Sequence, residues 1–244
     1  MNLRNLFNGK LYYYLKPKIN IDNEKNHINP NLENLFKQYG TDKANFIDKK
    51  IGHGYTKFYL KHLNKFKKKE INILEIGSYS GASAAAFSKF FRKAKIFCLD
   101  INISNFKYQS KKIKVFALDA CNKQEVDFFL KNNNINVNKN FFDIIIDDGS
   151  HKLIDILKGI KLFFSLLRPD GFYIIEDYKF DNANNKNVIS IDKLKKKIFH
   201  KKKFKSEILD CRIQLKLFND IKKIYTYKGN LEGSRIIFFN KKIK

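Results

Sequence analysis

The middle of the chain alternates short apolar runs with segments of helical periodicity. The apolar runs predict five strands, at Ile71–Ile76, Ile96–Leu99, Ile113–Leu118, Phe142–Ile146 and Phe172–Ile175. The segments between them predict helices, at Ala82–Phe91, Lys123–Asn132 and Leu153–Leu166. Strands that alternate with helices favour a parallel sheet with both faces covered, so we predict an α/β fold.

The C-terminal part follows a different pattern. A charged helix is predicted near Ile191–Lys202, and two strands follow it, Ile221–Tyr227 and Arg235–Phe239. Gly229 and Gly233 lie between the two strands and predict a turn. We therefore expect an antiparallel hairpin that closes one edge of the sheet.

The N-terminal part is predicted to be helical. An amphipathic helix covers about Leu3 to Leu15, a second helix begins after Pro30 and ends at Gly40, and a third covers Thr56–Phe66. The tyrosines at positions 12 to 14 could pack on the body of the protein or on a partner subunit, so a homo-oligomer stays open. We expect residues 1–66 to form a helical extension with an active-site lid, and residues 67–244 to form the main domain.

Charge adds a second consideration. The 244 residues include 49 Lys and Arg against 24 Asp and Glu, a formal net charge of +25 that suggests nucleic acid or an anionic surface as a partner. The lysines are nevertheless spread along the chain with abundant Asn, Ile and Phe, as an AT-rich genome would impose. The densest runs, Lys65–Lys69, Lys193–Lys197 and Lys201–Lys205, fall at predicted helix ends or exposed faces. A solvated surface is the simpler interpretation, and a nucleic-acid partner stays open.

Membrane insertion and disulfide chemistry are not indicated. The first residues are interrupted by Arg4, Asn8 and Lys10, and no later segment reaches the length of a membrane span. The cysteines are odd in number and far apart, at positions 98, 121 and 211, which predicts reduced core residues. We expect a soluble, cytoplasmic protein.

Unusual residues follow the first three predicted strands. The first strand leads into EIGSYSGAS, where Gly77 and Gly81 precede a helix of small residues. Glycines let a ligand approach the backbone, and the helix N-terminus offers N–H groups to an anionic group. Asp100 ends the second strand at a distance suited to ribose hydroxyls, and Asp119 follows the third, where a side chain could contact an adenine amino group.

These three features together resemble the class I S-adenosylmethionine-dependent methyltransferases. The resemblance covers about Leu35 to Asn240 and includes the terminal hairpin. It implies a Rossmann-like, seven-stranded, mostly parallel sheet with an antiparallel C-terminal hairpin and an N-terminal helical extension. The cofactor-binding residues that it implies are Glu75, Gly77, Ser78, Tyr79, Gly81, Ser83, Asp100 and Asp119.

Four carboxylates follow the last two parallel strands. Asp147 and Asp148 end the fourth strand, and Glu176 and Asp177 end the fifth. The tips of neighbouring strands lie about 5 Å apart, and like charges so close repel unless a cation or protons neutralise them. An all-oxygen cluster favours a hard divalent ion, with Mg²⁺ first and Mn²⁺ or Ca²⁺ as alternatives.

His151 lies three residues beyond Asp148, near the start of the next helix. A neutral imidazole there could accept the proton of a substrate hydroxyl that a metal has made more acidic. The resulting alkoxide would attack the methyl carbon of the sulfonium. The alternative for His151 is a helix-capping or solvent-facing residue.

A narrower resemblance rests on DDGSH and on the acidic pair of IIEDY. Both are similar to the metal-dependent macrolide-sugar O-methyltransferases of the mycinamicin and tylosin type, and a cephalosporin-hydroxylase-like relative shares the metal site. The resemblance implies Asp148, Glu176 and Asp177 as Mg²⁺ ligands and His151 as the base. Asp147 then falls to the cofactor side or to structural hydrogen bonds, although it could replace Asp148 as the ligand. Catechol O-methyltransferases share the layout with a lysine as base.

Two N-terminal stretches, YGTDK and HGYTKFY, also resemble the segment that precedes the core in the same O-methyltransferases. Their polar residues are dense enough for a loop that closes over cofactor and substrate. We predict lid or substrate residues at Thr41, Asp42, Lys43, His53 and Tyr55. The alternative is that Tyr39 and Tyr59 are core aromatics and that Lys43 is a surface charge.

We therefore predict a Mg²⁺-assisted O-methyltransferase that uses S-adenosylmethionine and acts on a hydroxyl of a sugar, glycan or glycosylated metabolite. A nucleic-acid methyltransferase would explain the charge and is expected to be metal-independent and steeply salt-dependent. A non-catalytic cofactor-binding module would have no need of a chelating site.

Overall fold

The computed structural model of the protein describes residues 10–24, 30–137, 139–178 and 189–243. The first half of the predicted N-terminal helix lies outside these residues, and helix α1 is described over residues 10–15. The other α-helices are α2 (Leu32–Tyr39), α3 (Thr56–Leu63), α4 (Ala82–Phe90), α5 (Lys123–Asn132), α6 (Leu153–Phe163), α7 (Ile191–Phe199) and α8 (Cys211–Asp220).

Seven strands form the main sheet. They are β4 (Ile71–Ile76), β5 (Ala94–Asp100), β7 (Ile113–Ala117), β8 (Phe142–Asp147), β9 (Leu167–Glu176), β10 (Ile221–Lys228) and β11 (Arg235–Lys241). Four two-residue strands form two small separate pairs, β1 (Ile19–Asn20) with β6 (Tyr108–Gln109), and β2 (Phe46–Ile47) with β3 (Lys50–Ile51).

The strand order in the main sheet is β10-β11-β9-β8-β4-β5-β7. The five strands from β9 to β7 in that order are parallel, whereas β11 pairs antiparallel with both β9 and β10. This confirms the Rossmann-like sheet with its antiparallel C-terminal hairpin.

Two apolar layers cover the sheet, because successive strand residues point to opposite faces. In β4, Leu74 and Ile76 join the layer that contains α5, α6, α7 and α8, while Ile71 and Ile73 join the layer of α2, α3 and α4. The N-terminal helices α2 and α3 thus share a core with the parallel strands. The division at residue 66 stays a prediction.

Local capping explains several helix boundaries. The Asn31 side chain accepts hydrogen bonds from two N–H groups at the start of α2, and Asn122 does the same for α5. Gly40 ends α2 in the left-handed conformation, at φ +76°. The last turns of the two predicted helices that end at Phe66 and Leu166 are 3₁₀ turns instead.

Two expectations about the core need correction. Helix α8 is not among the predicted elements, and its buried Gln214 interrupts the apolar stripe that would have revealed it. All three cysteines are free, but only Cys98 is buried. Cys121 is half-buried, and Cys211 is the exposed first residue of α8. None of the helices in the described ranges is long and apolar enough to cross a membrane.

Candidate active site

The site lies at the edge of the sheet where the parallel strands end. In register, Ile76 of β4 lies beside Asp147 of β8, and Asp147 lies beside Ile175 of β9. The residues that follow these strands therefore meet at one place, although they are distant in sequence.

Two adjoining cavities, of about 740 and 440 Å³, open at this edge. Both are lined by Gly77 and Gly149, so they are parts of one cleft. The predicted residues that line the larger cavity are Thr41, Asp42, Lys43, His53, Gly77, Ser78, Tyr79, Ser83, Asp148, His151 and Asp177. Those that line the smaller cavity are Gly77, Asp100, Asp119 and Asp147.

Four predicted site residues line neither cavity and lie behind the wall of the cleft. Glu75 contacts Ser83, Glu176 contacts Lys43, Tyr55 contacts Asp177, and the backbone N–H of Gly81 donates to the carbonyl of Ser78. Each therefore supports a residue that lines the larger cavity.

The glycine loop passes very close to the tip of β8. Gly77 has φ +82°, and a Cβ there would stand 2.2 Å from the carbonyl oxygen of Asp148. Tyr79 also has a positive φ, 42°, and its N–H donates to Asp100 Oδ2 at 2.7 Å. Helix α4 then begins at Ala82 without a side-chain cap, so its N-terminal N–H groups are available to a ligand.

A glycine pair with the same φ tests this close approach. Gly233 also has φ +82°, but a Cβ there would have no atom within 4 Å. Gly233→Ala is expected to cost about 1 kcal/mol of unfolding free energy, from backbone strain alone. Gly77→Ala is expected to cost about 2 kcal/mol more, because its Cβ would overlap the Asp148 carbonyl. Equal losses in denaturant titrations of the two variants would show that the loop does not lie against β8.

Glu75 is a buried carboxylate with one unused oxygen. Ser83 donates to its Oε1 at 2.5 Å, whereas its Oε2 has no hydrogen-bond partner among the described residues. Burial raises the pKa of Glu75 to about 7. A buried oxygen of this kind calls for a donor, such as an ordered water or a ligand group.

The acids of the smaller cavity are held by backbone groups. Asp100 Oδ1 accepts from the N–H of Asn102 at 2.8 Å, and Asp119 Oδ1 accepts from the N–H of Cys121 at 2.8 Å. Asp147 is buried, and its Oδ2 accepts from the Tyr173 hydroxyl at 3.4 Å. Burial raises the pKa of Asp147 to about 7. Asp147 therefore lies on the side of the cleft away from the other acids of the cluster.

Lys43 bridges two of the predicted metal ligands. Its Nζ lies 2.5 Å from Asp148 Oδ2 and 2.7 Å from Glu176 Oε2. Lys43 is 2% exposed and Glu176 1% exposed, and Tyr59 donates a further short hydrogen bond to Glu176. Burial alone would lower the pKa of Lys43, but the charges of Asp148 and Glu176 raise it well above its usual value. The ammonium is thus charged, and Glu176 is directed towards Lys43 and Tyr59.

Asp177 is held by two other side chains of the predicted lid. His53 Nδ1 lies 3.2 Å from Asp177 Oδ1 and 2.6 Å from Ser234 Oγ, and the Tyr55 hydroxyl donates to Asp177. Burial alone would raise the pKa of Asp177, but these hydrogen bonds lower it. The bond with Asp177 also raises the pKa of His53. The lid segment therefore contacts all three predicted metal ligands, through Lys43, His53, Tyr55 and Tyr59.

His151 faces the same group of acids. It has a left-handed backbone, with φ 57°, and its Nε2 lies 4.0 Å from Asp148 Oδ1. Asp148, His151 and Asp177 each place one ligand atom within 4.8 Å of the others. Strained non-glycine residues of this kind occur at functional sites, and Tyr79, with φ 42°, and Asp177, with φ 48°, also line the larger cavity.

Sequence reasoning missed part of the cavity wall. The turn between β10 and β11 contributes Leu231, Glu232, Gly233 and Ser234 to the larger cavity. The sequence shows Gly229 and Gly233, which predict the turn but give no sign that it lines the cavity. Tyr59 was also missed, because its spacing in α3 is that of an ordinary core aromatic.

Comparison with known proteins finds similarity to methyltransferases. Residues 74–178 match a family described as a methyltransferase domain. The mycinamicin VI 2''-O-methyltransferase of Micromonospora griseorubida is 28% identical over 155 residues, 61% of this chain and 36% of the relative. The L-olivosyl-oleandolide 3-O-methyltransferase of Streptomyces antibioticus is 30% identical over 155 residues, 61% of this chain and 37% of the relative.

A solved structure of the MycE methyltransferase from the mycinamycin biosynthetic pathway, in complex with Mg, SAH and mycinamycin VI, shares the fold. Its TM-score is 0.66 at 21% identity, over 88% of this chain and 55% of that one. The chain thus has the fold of a class I S-adenosylmethionine-dependent methyltransferase. Its resemblance to the macrolide-sugar O-methyltransferases of the mycinamicin type is confirmed. The chain spans little more than a third of the length of these curated relatives.

Proposed function

We propose that the protein transfers a methyl group from S-adenosylmethionine to a hydroxyl of a sugar, with a divalent cation bound beside the acceptor. The observation that carries this proposal is the meeting of the two cavities at Gly77 and Gly149, with Asp100 and Asp119 in one and Asp148, His151 and Asp177 in the other. One cavity suits a nucleoside, and the other suits a metal and an acceptor.

The residues of the cleft fit the cofactor. Asp100 and Asp119 supply carboxylates for the ribose hydroxyls and the adenine amino group, as the sequence predicts. The free oxygen of Glu75 suits a donor such as the ammonium of the methionine moiety, and the uncapped start of α4 suits its carboxylate. Asp147 is proposed to support the wall of the cleft, because its carboxylate accepts a hydrogen bond from the Tyr173 hydroxyl.

The acid cluster fits a hard divalent ion. Of the three predicted metal ligands, Asp148 and Asp177 line the larger cavity, and His151 lies beside them. Glu176 completes the proposed ligand set from behind the wall, where Lys43 and Tyr59 bond to it. Oxygen ligands favour Mg²⁺ or Mn²⁺ over softer metals. When bound, such an ion would make an acceptor hydroxyl more acidic and hold it in place.

His151 is the proposed base. Its Nε2 would accept the proton of the acceptor hydroxyl. The acceptor oxygen then forms a bond to the methyl carbon while the carbon–sulfur bond breaks, and the sulfur keeps the electron pair. The products are the methyl ether and S-adenosylhomocysteine, and the proton remains on His151 until solvent removes it.

The charge of the larger cavity bears on the acceptor. Its wall carries Asp42 and Glu232 in addition to Asp148 and Asp177. This concentration of carboxylates disfavours the phosphates of a nucleic acid, despite the net charge of +25. The two curated relatives described above are named for O-methylation of mycinamicin VI and of L-olivosyl-oleandolide. We propose a sugar hydroxyl of a glycan or glycosylated metabolite as the acceptor.

Methyl transfer from labelled S-adenosylmethionine to a panel of glycosides and oligonucleotides tests this function. We expect label in glycosides when Mg²⁺ is present and its loss when a chelator removes the ion. Label in oligonucleotides that persists with the chelator would contradict the proposal.

The ion pairs of Lys43 predict a large effect on folding. Lys43→Met keeps the aliphatic stem but leaves buried Glu176 without its cation, which is expected to cost about 3–5 kcal/mol of unfolding free energy. Lys65→Met is the matched control, because Lys65 pairs with Asp170 at the surface, and the expected loss is below about 1 kcal/mol. Denaturant titrations of both variants measure the difference. Equal losses would contradict the buried bridge.

A further inference from the structure

A third cavity, of about 610 Å³, lies far from the cleft. It is formed by α7, α8 and the first half of β10, the strand at the edge of the sheet. The last residue of β10 pairs with Arg235 near the active-site edge, whereas Ile221, its first residue, pairs with Lys241. At about 3.3 Å per residue, this places the third cavity about 20 Å from the cleft. We call it the basic cavity.

Two lysine runs of the sequence converge on the basic cavity. Residues 193–205 contain eight lysines and no acidic residue. The lysines that line the cavity come from α7 and the residues directly after it, from the second and third residues of β10 and from the chain after β11. They are Lys195, Lys196, Lys201, Lys222, Lys223 and Lys242, and the described lining residues include no Asp or Glu. Such a concentration of positive charge attracts an anionic partner.

The floor of the basic cavity is apolar. Ile198, Phe218 and Ile221 are buried there, and Tyr225 lines the wall. Phe199, at the end of α7, is 79% exposed beside the lysines. An exposed aromatic ring next to lysines is typical of surfaces that enter the headgroup region of a membrane.

A purely structural reason explains only part of this arrangement. Lysines on an edge strand prevent pairing with another sheet, which would account for Lys222 and Lys223. It does not account for Lys196 and Lys201, which come from α7 and the residues after it, or for the exposed ring of Phe199.

We propose that the basic cavity attaches the protein to a membrane that carries anionic phospholipid. One phosphate headgroup occupies the cavity, its first acyl carbons contact the apolar floor, and Phe199 lies among neighbouring headgroups. A compact cavity with an apolar floor suits a lipid headgroup, whereas a nucleic acid strand needs a groove several nucleotides long. The cleft, at the opposite end of the sheet, then stays open to the aqueous phase.

Vesicle sedimentation tests the attachment without any methyl-transfer assay. The whole chain is mixed with vesicles of phosphatidylcholine alone, or of phosphatidylcholine with phosphatidylglycerol, and the bound fraction is measured. The test variant is Lys196→Gln/Lys201→Gln/Lys222→Gln/Lys223→Gln. The control variant, Lys68→Gln/Lys69→Gln/Lys93→Gln/Lys95→Gln, removes the same charge from exposed positions elsewhere.

We expect binding only to the anionic vesicles, reduced about a hundredfold or more in the test variant and much less in the control variant. Phe199→Ser is expected to reduce binding about tenfold, because its ring leaves the headgroup region. Equal losses in the two quadruple variants, or no binding to anionic vesicles, would overturn the proposal. Tighter binding to an RNA oligomer that the test variant alone loses would overturn it in favour of a nucleic-acid partner.

Discussion

Asp148→Asn is expected to lower Mg²⁺-dependent methyl transfer by about a thousandfold or more, because it removes a carboxylate that opens to the larger cavity beside His151 and Asp177. The amide is nearly the same size but carries no charge, so the cation is held more weakly. Binding of S-adenosylmethionine is expected to change little, because Asp148 does not line the smaller cavity.

Calorimetric titration with Mg²⁺ and with S-adenosylmethionine separates these two effects. Asp127→Asn is the matched control, since Asp127 is exposed on α5 and pairs with Lys123 at the surface. Wild-type rates and wild-type Mg²⁺ affinity in Asp148→Asn would remove the metal from the proposed function.

His151→Ala is expected to lower kcat by roughly two to four orders of magnitude. The imidazole lines the larger cavity, and its Nε2 lies 4.0 Å from Asp148 Oδ1. If the ring accepts the proton of the acceptor, kcat falls at acid pH in the wild-type protein, and this fall is expected to disappear in the variant.

The pH profile distinguishes a base from a structural residue. His200→Ala is the control, because His200 is exposed at the end of α7 and lies outside the cleft. Unfolding free energies of both variants are measured alongside the rates. A variant with an unchanged pH profile would assign His151 a capping or solvent-facing role instead.

The sheet could be predicted because its strands are short, apolar and separated by regular helices. The prediction was less accurate for β9, which begins at Leu167 rather than at Phe172. Pro169, Asp170 and Gly171 have the composition of a turn, and they conceal the first half of the strand. Tertiary pairing with β8 nevertheless extends the strand through them, with a shift in register.

The convergence of acids at the carboxyl edge could also be predicted, because parallel topology brings strand ends together whatever their separation in sequence. The position of Lys43 could not. Its two partners, Asp148 and Glu176, lie 105 and 133 residues away. Only the packing of the N-terminal segment against the sheet shows that this lysine is buried between them.

The ion pairs of Lys43 make the three predicted metal ligands unequal in their surroundings. From the sequence, the three acids form one equivalent set. In the structure, Lys43 and Tyr59 each bond to one oxygen of Glu176, which lies behind the wall, whereas Asp148 and Asp177 line the larger cavity. The N-terminal segment therefore orients the acids as well as covering them, and removing it is expected to disturb the site directly.

We propose that the protein carries out metal-assisted methylation of a sugar hydroxyl at the DDGSH cluster. Its most direct test is the transfer of labelled methyl from S-adenosylmethionine into a fractionated extract of the source cell, first with Mg²⁺ and then with a chelator. Small molecules, glycans, nucleic acids and proteins are separated before counting. We expect chelator-sensitive label in the glycan or small-molecule fraction. Chelator-insensitive label in the nucleic-acid fraction would contradict it.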